Sequence, residues 1–88
     1  MNNVSLFDKI IKIASEILSV PESEIKKNSK QEDVENWDSM GHLNLILAIE
    51  ERLNVKFRST DVMEMESIND IVGKIEELNI KGFDSIGK

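Results

Sequence analysis

Hydrophobic residues recur at helical spacing in three separate stretches of the chain. In the first stretch, Ser5 is followed three residues later by Asp8, a pairing typical of a capped helix start. Val20 and Pro21 mark its end, because proline cannot continue the hydrogen-bond ladder and restricts the residue before it. The apolar positions between these signals include Leu6, Ile10, Ile13, Ala14 and Ile17. This spacing predicts a first amphipathic helix.

The two later stretches predict further helices. The second runs from about Ser39 to Leu53, and residues 60–65 are expected to form a single helical turn. Ser67 and Asp70 then repeat the capping pattern at the start of a last helix. The apolar face of that last helix contains Ile68, Ile71, Val72, Ile75 and Leu78.

Residues 19–37, between the first two helices, form an unusually long polar connection for so small a domain. Within it, only Ile25, Val34 and Trp37 are expected to anchor the chain to a core. The pattern therefore predicts an all-α, three- to four-helix bundle with a long first loop. Residues 1–78 are predicted to be one domain, and residues 79–88 a flexible C-terminal tail.

The second helix is apolar on two sides. At about 100° per residue, one sector holds Leu45, Ile46, Ile49 and Leu53, while Met40, Leu43 and Leu47 lie roughly opposite. A helix in a small bundle needs only one buried stripe. Two explanations of the second stripe stay open. It is either buried between the first and last helices or exposed as a patch for partners, with a rim of Asn44, Glu50 and Glu51.

Composition narrows the classes of function. The 88 residues carry a net charge of −6, and residues 31–70 hold ten acidic against three basic side chains, a local charge of −7. An acidic middle disfavours nucleic acid and favours basic protein surfaces, although a solvated face explains it equally well. There is no cysteine, no cleavable signal and no apolar run of membrane-spanning length. We therefore expect a cytoplasmic protein.

Little in the chain could perform catalysis, which makes an enzyme improbable. It has one histidine and no tyrosine or cysteine. Ser39 and His42 are three residues apart, yet the pair of glycines of a nucleophile elbow is not present around the serine and no orienting acid is evident. From local chemistry alone, Ser39 is either a helix cap or an attachment point. A helix N-terminus would favour a phosphate at that point through its free amides and dipole.

The segment that begins at Asp38-Ser39-Met40 resembles the phosphopantetheine-attachment segment of the acyl carrier protein family. The similarity continues through Leu43, Leu45, Ile46, Ala48, Ile49, Glu50, Glu51 and Val55. The order of helices and the spacing from Val20, Glu24 and Ile25 to Ser39 also fit that family, so the resemblance covers residues 5–78.

This resemblance implies a carrier without catalysis or a metal ion of its own. A transferase using coenzyme A and magnesium would esterify Ser39 with 4′-phosphopantetheine, whose thiol holds acyl or aminoacyl groups as thioesters. Asp38 would cap the helix and help the transferase to recognise the serine. Implied partners are this transferase, a loading ligase and downstream acyltransfer enzymes. The expected protein is a monomer that binds no nucleic acid and spans no membrane. The implied partner-binding residues are Met40, Leu43, Asn44, Leu47, Glu50 and Glu51.

Some positions depart from the family pattern. Gly41, His42 and Asn44 stand where fatty-acid carriers have more acids, and polar Gln31 replaces a large apolar anchor of the first loop, with Val34 and Trp37 as substitutes. Trp37 to His42 is similar to specialised stand-alone carriers of surface-polysaccharide, polyketide or peptide pathways. An aminoacyl, D-alanyl or peptidyl carrier is the alternative.

Two further interpretations of the sequence stand beside the carrier. In a different class of function, the chain is a small helical interaction module in which Ser39 is only a helix cap. A second Asp-Ser pair, Asp84-Ser85, is not expected to be an attachment site, because only three residues follow Ser85.

Overall fold

In the described part of the chain, four α-helices are joined by turns and one long loop. The structure is a computed structural model that describes residues 5–86 and the side chains of residues 5–78. The helices are α1 (Leu6–Leu18), α2 (Ser39–Leu53), α3 (Ser59–Glu64) and α4 (Ile68–Ile86). Two 3₁₀ turns, Glu22–Glu24 and Gln31–Asp33, lie in the first loop. Over the described part of the chain there is no β-strand, only an isolated bridge between Lys30 and Ser67. The predicted all-α bundle with a long first loop is confirmed.

Both ends of helix α1 are fixed by its capping residues, Ser5 and Ser19. The Asp8 backbone N–H donates to the Ser5 hydroxyl at 3.1 Å, which satisfies one of the unpaired amides at the helix start. At the other end Ser19 adopts the left-handed conformation, with φ of 58°, and closes the helix. The Ser15 hydroxyl then donates to the Val20 carbonyl at 2.6 Å, which fixes the exit of the chain before Pro21.

The first loop is held firmly at the start of α4. The backbone N–H groups of Ile68 and Asn69 donate to loop carbonyls, those of Ser29 at 3.1 Å and Lys27 at 2.9 Å. The Asp70 N–H donates to the Ser67 hydroxyl at 3.2 Å, as the capping pattern predicted. The unpaired amides of α4 are thus satisfied by the loop and by Ser67.

One apolar core lies between the helices and the loop. The predicted loop anchors Ile25, Val34 and Trp37 are all buried in it. Helix α2 contributes three fully buried residues, Leu45, Ile46 and Ile49, while Leu53 is partly buried. The remaining core comes chiefly from α1 and α4, through Ile10, Ile13, Ala14, Leu18, Ile68, Ile71, Val72 and Ile75.

Helix α4 is longer than predicted. Its backbone remains helical through residues 79–86, the range for which a C-terminal tail was predicted, and residues 87 and 88 lie outside the described part. No proline follows Ser67, and a single helical glycine such as Gly82 costs only about 1 kcal/mol relative to alanine. A helix already packed over its first turns can continue through such a position.

Gly41, in the first turn of α2, is required by a close backbone contact. A Cβ atom at this position would lie 2.1 Å from the Asn36 carbonyl oxygen and 3.0 Å from Cδ2 of Leu18. Asn36 itself has a left-handed backbone, with φ of 69°, and its Nδ2 donates to the Leu18 carbonyl at 2.8 Å. The loop is therefore pressed between the end of α1 and the start of α2, where no side chain fits.

Gly41→Ala is expected to destabilise the fold, although alanine is the better helix former. The new methyl group would displace the loop, an overpacking effect of about 1–3 kcal/mol in the free energy of unfolding, measured by urea denaturation. Gly73→Ala in α4 is the matched control, because nothing lies within 4 Å of a Cβ there. That variant should be up to about 1 kcal/mol more stable than the wild type. A Gly41→Ala protein as stable as the wild type would refute the contact.

Candidate functional site

Asp38 is the residue that caps α2. Its Oδ1 accepts the Gly41 backbone N–H at 2.8 Å, and its carbonyl accepts the His42 N–H at 2.8 Å. Its extended backbone, with φ of −98° and ψ of −164°, is that of a residue just outside a helix. The expectation that Asp38 caps the helix is met, and Ser39 is the first residue inside it.

Ser39 is exposed and has no part in closing the helix end. Within the described part of the chain, its hydroxyl forms no side-chain hydrogen bond. A serine that served only as a cap would accept a hydrogen bond from a backbone N–H two or three residues on. Here the Asp38 carboxylate accepts that bond instead, from the Gly41 N–H. The Ser39 hydroxyl thus stands free at the positive end of the α2 dipole.

The Gln31 side chain contacts the backbone immediately before Ser39. Its Nε2 lies 3.5 Å from the Trp37 carbonyl and 3.4 Å from the Asp38 carbonyl, within reach as a donor to both. From the sequence, Gln31 was identified only as a polar residue in place of a large apolar anchor of the first loop. In the structure this amide spans the loop and supports the backbone beside the candidate site, a role that no local pattern could have shown.

His42 links three elements beneath the start of α2. Its ring, in a residue only 8% exposed, accepts the Trp37 indole N–H at Nδ1 over 2.9 Å. Its Nε2 lies 3.0 Å from the Val62 carbonyl of α3. An indole N–H only donates and a carbonyl only accepts, so the ring is neutral with its proton on Nε2. With both ring nitrogens engaged, His42 is not available as a base for Ser39.

The second apolar face of α2 is exposed, so the explanation by burial on both sides is wrong. Met40, Leu43 and Leu47 are 68%, 48% and 54% exposed. Met63 on α3 is 78% exposed as well. Its exposure was not predicted, because a helix of one or two turns shows no periodic face. We call these four residues the apolar patch.

The predicted rim residues differ in their surroundings. Asn44 and Glu51 are exposed. Glu50 is half-buried, and its Oε2 accepts the Phe57 backbone N–H at 2.9 Å. Glu50 therefore fixes the turn after α2, which limits its freedom to meet a partner.

Helix α3 is tied to α4 by charge. Asp61 accepts the Arg58 backbone N–H at 3.1 Å and pairs with Lys74 of α4 at 3.3 Å. The backbone hydrogen bond, and then Lys74, lower the pKa of Asp61 against the opposing effect of burial. Glu77 and Asp61 raise the pKa of Lys74. Because the Asp61 pKa is lowered on folding, its stabilising contribution is present above its ordinary range and is lost as pH falls through the lowered value.

The described residues form neither a membrane-spanning helix nor a cluster of metal ligands. None of the helices there is long and apolar enough to cross a membrane. No group of three or more histidine or acidic side chains there could hold a metal ion.

Known proteins share both the sequence pattern and the fold. Residues 8–75 match the family model described as phosphopantetheine attachment site. The acyl carrier protein of Campylobacter lari is 33% identical over 75 residues, which cover 85% of this chain and 97% of that protein. The acyl carrier protein of Clostridium perfringens is 35% identical over 72 residues, covering 82% and 95%.

A solved structure agrees in fold. The solution structure of holo acyl carrier protein from Geobacter metallireducens matches with a TM-score of 0.77 at 18% identity, covering 89% of this chain and 90% of that one. The family match spans most of the chain, including Asp38 and Ser39. The chain therefore belongs to the acyl carrier protein family, whose members are carriers rather than enzymes and bear covalently attached 4′-phosphopantetheine.

Proposed function

We propose that Ser39 is the attachment residue and that the chain presents acyl or aminoacyl groups to the enzymes of one pathway. The observation that carries this proposal is the division of roles at the start of α2, where Asp38 closes the helix and leaves the exposed Ser39 hydroxyl free. Substituting this hydroxyl breaks no hydrogen bond of the fold. A phosphodiester at this oxygen would lie at the positive end of the helix dipole.

The surroundings of Ser39 fit a prosthetic group of this kind. When bound, 4′-phosphopantetheine supplies a terminal thiol that carries an acyl group as a thioester. The residues of the chain would hold the arm at its root: Asp38 and Gln31 fix the backbone around Ser39, and Gly41 keeps the first turn against the loop. None of these contacts needs the serine side chain, so modification leaves them in place.

We further propose that the apolar patch is where partner enzymes dock, with Asn44, Glu50 and Glu51 beside it. Its side chains are too exposed to contribute much to the core, and the middle of the chain is acidic. Such a surface fits partners with an apolar centre and basic residues around it. These partners would be the transferase, a loading ligase and acyltransfer enzymes, met by a cytoplasmic monomer.

A specialised carrier, with an aminoacyl, D-alanyl or peptidyl carrier as the alternative, remains our proposal for the pathway. Three of the four sequence departures have structural reasons. Gly41 meets Asn36, and His42 bridges Trp37 to α3. Gln31 lies within reach of the Trp37 and Asp38 carbonyls. Asn44 alone changes the exposed surface, by placing an uncharged side chain next to the patch. The proposal of a specialised partner therefore rests mainly on Asn44.

Incubation with coenzyme A, magnesium and a promiscuous phosphopantetheinyl transferase should add one phosphopantetheine to the chain, as seen in its intact mass. Ser39→Ala should abolish the gain, because no other hydroxyl is expected to be modified. Ser85→Ala is the matched control, since it alters the second Asp-Ser pair of the chain and should be modified fully. An unmodified wild type, beside a control carrier that is modified, would reject the proposal.

Stability measurements separate a carrier from an interaction module in which Ser39 is only a cap. Asp38→Ala should lower the free energy of unfolding by about 0.5–2 kcal/mol, because it removes the acceptor of the Gly41 N–H. Ser39→Ala should lie within about 0.5 kcal/mol of the wild type. Both are read from urea denaturation, with Asp38→Asn as the variant that keeps a cap. If Ser39→Ala proved the more destabilising, the serine would be the cap.

Leu43→Ala and Leu47→Ala should weaken recognition by the transferase without unfolding the protein. Truncating an apolar docking residue typically loses about 1–2 kcal/mol of binding, which corresponds to a rise of roughly 5- to 30-fold in KM. Lys12→Ala, an exposed position on α1, provides the control. If all three variants had the wild-type KM, the docking role of the patch would be excluded.

A further inference from the structure

We propose that the group carried on the Ser39 arm stays outside the helix bundle, which suits the chain to short acyl groups or to acyl and aminoacyl groups with polar substituents. The basis is a hydrogen-bonded bridge of Trp37, His42 and Val62 just inside the start of α2. This inference rests on the proposed attachment at Ser39 and deepens it, because it names the class of group that the arm carries.

Backbone packing closes the start of α2 on the side of the first loop. The first turn of α2 meets the loop and the end of α1 at Gly41. A Cβ atom at this glycine would already clash with the Asn36 carbonyl oxygen and would lie 3.0 Å from Cδ2 of Leu18. An alkyl chain is at least as wide as one carbon atom, so it cannot pass between the loop and α2 without displacing the loop.

On the side of α3, the bridge occupies the space beneath the start of α2. The Trp37 indole N–H donates to Nδ1 of His42 at 2.9 Å, and Nε2 of the same ring donates to the Val62 carbonyl at 3.0 Å. The indole and imidazole rings are stacked with their centroids 6.0 Å apart, and both residues are buried. The bridge therefore joins the loop, α2 and α3 in one buried contact.

An alkyl chain that entered between α2 and α3 would have to part this bridge. A methylene group neither donates nor accepts a hydrogen bond, so the indole N–H or the Val62 carbonyl would lose its partner away from water. Among the described residues, no buried side-chain nitrogen or oxygen lacks a hydrogen-bond partner, so none of them gains a missing bond when the bridge opens.

The size and polarity of the carried group decide whether entry could offset this loss. Burial of apolar carbon favours entry in proportion to the area buried, which is small for a short chain. A polar group would lose its own hydration as well. Short and polar groups therefore remain in solvent, where partner enzymes can reach them without opening the bundle.

Two acyl forms of the ¹⁵N-labelled wild-type chain test this inference. A promiscuous phosphopantetheinyl transferase would load the chain from acetyl- or octanoyl-coenzyme A, and octanoyl is the stringent probe because it offers more apolar area to the core. Both forms should show the same Trp37 indole and Val62 amide signals by NMR, and hydroxylamine should cleave both thioesters at the same rate. A chain buried for most of the time would lower the octanoyl rate to less than about half of the acetyl rate. Either that loss of rate or a shift of those signals in the octanoyl form would overturn the proposal.

His42→Leu tests whether the bridge is what excludes the chain. Leucine occupies part of the space of the imidazole and forms neither hydrogen bond, so in this variant the octanoyl thioester should be cleaved more slowly than the acetyl thioester. Lys12→Leu is the matched control, since it adds a leucine at an exposed position and should behave as the wild type. Equal rates for both thioesters of a folded His42→Leu chain would overturn the role of the bridge.

The outcomes keep this inference apart from the proposed function. If neither coenzyme A derivative loads the wild-type chain, attachment at Ser39 fails and this inference fails with it. If both derivatives load and the octanoyl chain proves buried, this inference alone is refuted. If His42→Leu does not fold, the comparison of the two wild-type thioesters decides.

Discussion

The contact between the Asn36 carbonyl and Gly41 is the constraint on which the arrangement of this small protein depends. It presses the first loop against the first turn of α2, and the Asn36 side chain joins the same point to the end of α1. Because no side chain fits between the two backbones, the loop packs against the first turn of α2 in a single arrangement. The entry point then decides where Asp38 and Ser39 lie.

From this entry point, the roles of neighbouring residues separate. Asp38 satisfies the amide of Gly41, Trp37 turns inward to His42, and Ser39 remains outside. The polar contacts of the loop are thus made by residues on either side of the serine. A carrier needs a residue that can be modified without loosening the fold, and this division of roles meets that need.

Much of this could be predicted from local chemistry. The capping residues gave the starts of α1 and α4, and the helical wheel separated the buried Leu45, Ile46 and Ile49 from the exposed Met40, Leu43 and Leu47. Contacts across space could not be read in the same way. Gly41 stood out only as a departure from the family pattern, and Glu50 only as a residue beside the second apolar stripe, because their partners Asn36 and Phe57 are set by the tertiary fold.

Tryptic peptide mapping of the loaded wild-type chain tests whether the prosthetic group is on Ser39. Cleavage after Lys30 and Arg52 releases residues 31–52, in which Ser39 is the only hydroxyl-bearing side chain. Cleavage after Lys81 places Ser85 in a separate peptide. Attachment at Ser39 predicts phosphopantetheine on the peptide of residues 31–52 alone. Its appearance on any other peptide, with residues 31–52 unmodified, would contradict the account.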